Sequence, residues 1–192
     1  MTYRLFSLIA LLCLASSLHA QSEAPAHYQL FGGYSYLSNS MNGVPGSRQS
    51  LNGWDASLAF PSWHGFRFKL DTSGYSGTNL GAPQHPLFIL AGAQYNRRIR
   101  GETVFVDALA GDGSINNNWG AGKTHGETNS FTALAGGGLD TPLTRRIAFR
   151  VGGGFQYSYF ALAPAGNLNI PYRIPGLPTF FGRLSTGLVW QF

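Results

Sequence analysis

Apolar and polar residues alternate along most of this 192-residue chain. The last stretch is the clearest. Phe180, Gly182, Leu184, Thr186, Leu188, Trp190 and Phe192 share one face, and Phe181, Arg183, Ser185, Gly187, Val189 and Gln191 the other. Ile147, Phe149, Val151, Phe155, Tyr157 and Tyr159 alternate in the same way with Arg146, Ala148, Arg150, Gln156 and Ser158. Further upstream, Phe66, Phe68 and Leu70 oppose Arg67, Lys69 and Asp71. Trp54, Ala56, Leu58 and Phe60 oppose Gly53, Asp55 and Ser57, and Tyr28, Leu30, Tyr34 and Tyr36 oppose Gln29, Gly33 and Ser35. A period of two is the signature of a β-strand with two unlike faces. Three stretches are less clean, because Phe88 and Leu90, then Phe105 and Leu109, then Leu134 put apolar residues on the second face. No sustained 3.6-residue period follows residue 24, so the chain is expected to be all-β with eight strands.

Most of these stretches run about 9–13 residues, enough for a tilted strand to cross a bilayer and longer than soluble strands usually are. The connections between them alternate in length. Long ones, rich in Gly, Asn, Pro and Ser, are expected near residues 38–50, 74–86, 112–129 and 160–179. Short ones are expected at Pro61–His64, Arg98–Gly101 and Thr141–Thr144. Long loops on one rim and tight turns on the other are the pattern of an antiparallel up-and-down transmembrane β-barrel, with both termini on the short-turn, periplasmic side.

Composition agrees with that picture. Charged residues are only 11% and aromatics 14%, while 26 glycines are about twice the usual share. No apolar run after Gln21 is long enough for a spanning helix. A lipid-facing sheet needs apolar residues only at every second position, so it reconciles these features.

The first twenty residues are read separately. Arg4 is followed by an apolar run from Leu5 to Ala15 and a small, polar end at Ser16-Ser17-Leu18-His19-Ala20. This is the order of a secretory signal, with cleavage expected after Ala20 and the barrel domain occupying residues 21–192. Leu12 directly before Cys13 is too large for a lipobox. Removal of the leader takes away the sole cysteine, which excludes disulfides and thiolate metal sites. Net charge is +5, and losing Arg4 brings it to +4. No basic run carries interleaved aromatics, so nucleic acid is not an expected partner, and no cofactor is expected.

If the apolar face meets lipid, the other face fills the lumen. It collects Asp55, Arg67, Lys69, Asp71, Asp107, Arg150 and Arg183. Eight strands leave an interior that side chains can fill, and charge there needs partners. A salt-bridged network is expected, centred on Asp55, Lys69, Asp71 and Arg150. Aromatic rings prefer headgroup depth. Tyr28, Trp63, Tyr95, Trp190 and Phe192 are expected near the periplasmic rim, and Tyr34, Tyr36, Tyr157 and Tyr159 near the outer one. Arg97, Arg98, Arg100, Arg145 and Arg146 cluster at the short turns, as contacts to inner-leaflet phosphates or as solvated turn residues.

The ending Leu188-Val189-Trp190-Gln191-Phe192 resembles the C-terminal signature of outer-membrane proteins. Leu30-Phe31-Gly32-Gly33-Tyr34-Ser35-Tyr36-Leu37 looks like the first strand of OmpA-type and related small barrels, and Asn52–Leu58 and Ala135–Asp140 are similar to segments of the same group. The resemblance implies a bacterial outer-membrane location and recognition of Leu188, Trp190 and Phe192 by the barrel-assembly machinery. OmpA itself adds a peptidoglycan-binding domain, an activity not carried over here.

The function that follows is non-enzymatic: an envelope structural protein, or one that presents its outer loops to a surface ligand of unstated chemistry. A small passive pore is the alternative, ranked lower because a filled lumen conducts poorly. A lipid A-modifying enzyme would need a positioned His–Ser pair with a carboxylate. His27, His64, His85 and His125 all fall at strand ends or in loops, and His125 with Glu127 and Ser130 sits in a glycine-rich segment. A soluble ligand-binding barrel would invert the faces, with Phe66, Phe68, Leu70, Leu184, Leu188 and Trp190 inside.

Overall fold

The computed structural model describes residues 27–40, 48–79, 82–117, 126–160 and 177–192. The expected leader, residues 1–20, lies outside the described residues. Eight strands follow in order: β1 (Gln29–Ser40), β2 (Arg48–Ala59), β3 (Phe66–Asn79), β4 (Ala82–Ile99), β5 (Glu102–Asn117), β6 (Gly126–Pro142), β7 (Ile147–Phe160) and β8 (Leu177–Gln191). Each pairs antiparallel with its sequence neighbours, and β8 pairs back onto β1 to close the barrel. The fold is an eight-stranded up-and-down transmembrane β-barrel, with no sheet edge left exposed.

The ladder fixes the stagger. Gln29 pairs with Ala59, and the same rung continues through Lys69, Gly92, Leu109, Leu134, Gln156 and Phe181. Phe181 then pairs with Asn39, ten residues along β1 from the start. Such a stagger over eight strands tilts them by roughly 40°. Ten is even, so a residue that faces inward at the start of the circuit still faces inward at its end.

The faces separate as the alternation predicts, and they do so inside out. Phe66, Phe68, Leu70, Leu184, Leu188 and Trp190 are each 42–60% exposed. Asp55, Arg67, Lys69, Asp71, Asp107, Asp140, Arg150 and Arg183 are buried. A soluble barrel is therefore excluded: it would leave a continuous apolar belt in water and charge in its core. Among the described residues, strand charges on the outward face sit only near the ends, with Arg97 and Glu102 toward the short turns and Asp112 toward the loops.

Local chemistry shapes the short-turn end. Trp63 and Phe66 exchange backbone hydrogen bonds of 2.8 and 3.0 Å across His64-Gly65. Both turn residues have positive φ, 53° and 85°, as a type I′ hairpin demands. Arg100-Gly101 repeats this with 52° and 94°. In the third turn, Thr144 Oγ1 accepts the N–H groups of Arg146 and Ile147 at 3.2 and 3.0 Å.

One expectation fails at the opposite end. Residues 74–86 do not form a long loop: the β3–β4 ladder continues through Gly77↔Gln84 and Thr78↔Pro83 to Asn79↔Ala82, which leaves two residues between the strands. Gly, Ser and Pro in this stretch looked like loop formers. Pairing above the lipid belt needs only backbone hydrogen bonds, and neither face there must be apolar. The connections at 41–47, 118–125 and 161–176 are longer.

Close approach explains the glycine pairs between β6 and β7, where Gly136, Gly137 and Gly138 lie opposite Gly154, Gly153 and Gly152. A Cβ on Gly138 would stand 2.2 Å from the Val151 carbonyl oxygen and 2.7 Å from the Phe105 ring. Outward-facing Gly32 has nothing within 4 Å of such a Cβ. Gly138→Ala should therefore destabilise the barrel by about 1–3 kcal/mol, and Gly32→Ala by less than about 0.5 kcal/mol. The temperature at which the compact gel band is lost in detergent measures both, and equal shifts would contradict a tightly filled lumen.

Candidate functional site

The lumen is layered. In its middle and toward the short turns lies a band of ion pairs, built by alternate residues of six strands. Arg183 of β8 reaches across to β2 and β3, with Nη2 2.7 Å from Asp55 Oδ2 and 2.9 Å from Asp71 Oδ1. Lys69 Nζ lies 3.4 Å from Asp71 Oδ2 and 2.9 Å from Asp107 Oδ2. Gln94 Nε2 donates to the other Asp107 oxygen at 2.8 Å. The result is a continuous chain, Asp55–Arg183–Asp71–Lys69–Asp107–Gln94, running from β2 to β4 through the lumen.

Arg150 belongs to a second unit. Its Nε and Nη2 make a bidentate pair with Asp140, at 2.6 and 2.7 Å, and Nη2 also lies 3.4 Å from Gln29 Oε1. The Phe105 ring joins the two units, 4.3 Å from the Arg150 guanidinium and 6.0 Å from Lys69 Nζ. Arg150 is thus not at the centre of the Asp55, Lys69 and Asp71 group, where the sequence reading put it; Arg183 is. Geometry decides this, since β7 lies on the far side of the lumen from β3 and Asp140 stands directly beside Arg150 on β6. Arg67 sits nearer the short turns, where Nη1 donates to the carbonyls of His27 at 2.7 Å and Phe60 at 3.5 Å.

Sequence reasoning missed Asp140. It stands on the polar face of its strand, but Thr141-Pro142 beside it resembles a solvated rim. Counting it gives, among the described residues, four buried carboxylates, at 55, 71, 107 and 140, against four buried cations, at 67, 69, 150 and 183. The lumen charge balances. A cavity of about 30 Å³ separates the network from the glycines of β6 and β7, large enough for one water.

Toward the loop end the lumen turns apolar. Leu37, Leu51, Tyr75, Phe88, Leu90, Leu109, Leu134 and Phe181 form one buried cluster. Phe88 packs edge-on against both Tyr75 and Phe181, at centroid distances of 6.0 and 6.4 Å. Tyr75 caps the ionic side through a 2.8 Å hydrogen bond with Ser35. This cluster is a plug, and it accounts for the apolar residues that blurred the alternation in β4, β5 and β6.

The nine aromatics singled out for the interfaces lie on the outside of the barrel or its turns. Tyr28 stacks on Phe192 at 5.7 Å, and Trp190 contacts Phe192 at 5.1 Å, where β1 meets β8. Tyr95 packs on Phe66 at 4.9 Å, and Trp63 is exposed in the first turn. Nearer the loops, Tyr157 packs on Phe180 at 5.3 Å, Tyr159 is exposed, Tyr34 donates to Asn52, and Tyr36 bonds Ser50 at 2.7 Å. Leu188, Trp190 and Phe192 share the outward face of β8. Of the His125, Glu127 and Ser130 group, His125 lies outside the described residues; Ser130 is buried and its hydroxyl donates to the Phe131 carbonyl at 3.1 Å.

The fold places the chain among small eight-stranded outer-membrane barrels. It is similar to neisserial surface protein A (NspA), with a TM-score of 0.66 at 14% identity over 88% of this chain and 100% of that one. The attachment invasion locus protein Ail of Yersinia pestis, solved with the heparin analogue sucrose octasulfate, gives 0.57 at 10% identity over 88% and 100%. The outer membrane protein OprG of Pseudomonas aeruginosa gives 0.52 at 10% identity over 89% and 98%. No protein-family model and no curated protein sequence matches the chain.

Removing one partner of a buried pair strands a charge. Arg150→Ala should cost about 3–5 kcal/mol, because Asp140 is left unpaired beneath the lumen wall. The double variant Arg150→Met/Asp140→Leu should recover most of that loss, while exposed Arg146→Ala should change little. Urea titration of the refolded barrel checks all three. A double variant as damaged as the single one would contradict the pairing.

Proposed function

We propose that the protein is a non-enzymatic barrel of the bacterial outer membrane, structural in role or engaging a surface ligand through its loop end. Its exported form begins at Gln21 after removal of residues 1–20. The observation that carries the reading is the layered lumen. A neutral, paired ionic band lies below a plug of interlocked aromatic and aliphatic side chains, so the interior supports the wall. A steady pore is disfavoured by the same plug. The outward aromatics fit two headgroup girdles around the apolar belt. Leu188, Trp190 and Phe192 lie on the strand that closes the barrel, which suits a signal read by the assembly machinery. A surface-interaction role is favoured by Ail, whose structure contains a heparin analogue.

The test is membrane fractionation followed by gel electrophoresis with and without boiling. The expected result is a compact, fast-migrating unboiled band in the outer-membrane fraction. A soluble periplasmic protein without heat shift would overturn the reading. In planar bilayers the refolded protein should show no steady conductance. Sustained open-channel currents would return the pore alternative to first place.

A further inference from the structure

We propose that the short-turn mouth of the barrel is a receptor cup for a small oxyanion, a phosphate or carboxylate group. The mouth holds a cavity of about 290 Å³ whose lining includes Gln29, Arg67, Asn96, Arg98, Asp140 and Arg145. Its inner wall includes Asp140 of the ionic band.

Charge points to an anion. Among the described residues, the buried carboxylates and cations of the lumen are equal in number. Arg98 and Arg145, both exposed at the mouth, are additional to that balance. Asp140 is the only carboxylate among the lining residues of the cup, and Arg150 holds both of its oxygens. The excess positive charge therefore lies at the rim, on the guanidiniums of Arg98 and Arg145.

The arms are built, not incidental. Arg98, Thr103, Asp140 and Arg150 stand in one rung across β4, β5, β6 and β7. Arg98 therefore enters the rung whose other end is the bidentate pair. The type I′ turn at Arg100-Gly101 fixes its strand end, and the Thr144 hydroxyl braces the turn that carries Arg145. Guanidinium forks match carboxylate and phosphate edges, and the side-chain amide of Gln29 adds a donor. The volume suits a small head group and not a large ligand. Outward-facing Arg97 belongs to the lipid side, so it serves as a control.

The experiment is calorimetric titration of pyrophosphate into the refolded barrel in nonionic detergent, with a parallel series in micelles doped with an anionic phospholipid. Saturable binding that weakens with salt, falls about tenfold or more in Arg98→Gln/Arg145→Gln and persists in Arg97→Gln is the expected result. Binding of the phospholipid alone, with the same dependence on Arg98 and Arg145, would assign the oxyanion to a lipid headgroup. No saturable binding of either probe, or equal loss in Arg97→Gln, would overturn the cup. Each variant's heat-shifted band reports that the barrel is intact, so a failed barrel and a failed cup give different results.

Discussion

A strand that crosses hydrocarbon must have every backbone N–H and C=O bonded to a neighbouring strand. Here that requirement is met by closing β8 onto β1 with a stagger of ten residues. The rest follows from that closure. Because the stagger is even, each strand has one lipid face and one lumen face along its whole length. Because only eight strands close the circuit, the lumen is narrow enough for side chains to fill it. No water column is available to solvate what points inward.

Charge in such an interior is tolerated only in partnership. Among the described residues the protein answers with equal numbers of buried cations and carboxylates, linked through the shared Asp71 carboxylate, the shared cations Lys69 and Arg183, and a bridging phenyl ring. Lys69 and Arg183 both hold Asp71, so no single contact carries that carboxylate. On the opposite wall the β6–β7 glycine pairs supply the room that long guanidinium arms require. Toward the loops the requirement changes. Phe88, Tyr75 and Phe181 fill the lumen without charge, at lower desolvation cost than a second ionic layer.

The faces and the strand count were legible in the sequence, since alternation, stretch length and turn spacing all describe the same geometry. Phe68 and Lys69, or Val151 and Arg150, could be assigned to outside and inside without coordinates. What could not be read were relations across the lumen. Nothing local to Arg183 says that it reaches Asp55 and Asp71 on β2 and β3, and Asp140 next to a proline turn looks solvated. The plug was visible only as a blur in the alternation. Phe88 and Leu90 opposite Ile89 blur a membrane strand's alternation, although they fall on the inward face and fill it. The β3–β4 ladder past Gly74 was hidden for a related reason: beyond the lipid, backbone pairing persists without an apolar pattern to announce it.

The layering gives the two ends of the barrel different chemical character. Toward the loop end, a buried apolar cluster around Phe88 occupies the lumen. At the short-turn end the ionic band opens into a mouth where the charge balance is broken by Arg98 and Arg145. Two exposed arginines of the same sign lining one cavity favour an anion between them. This asymmetry between an apolar end and a charged, open end is the feature of the barrel that a role as passive scaffold leaves unexplained.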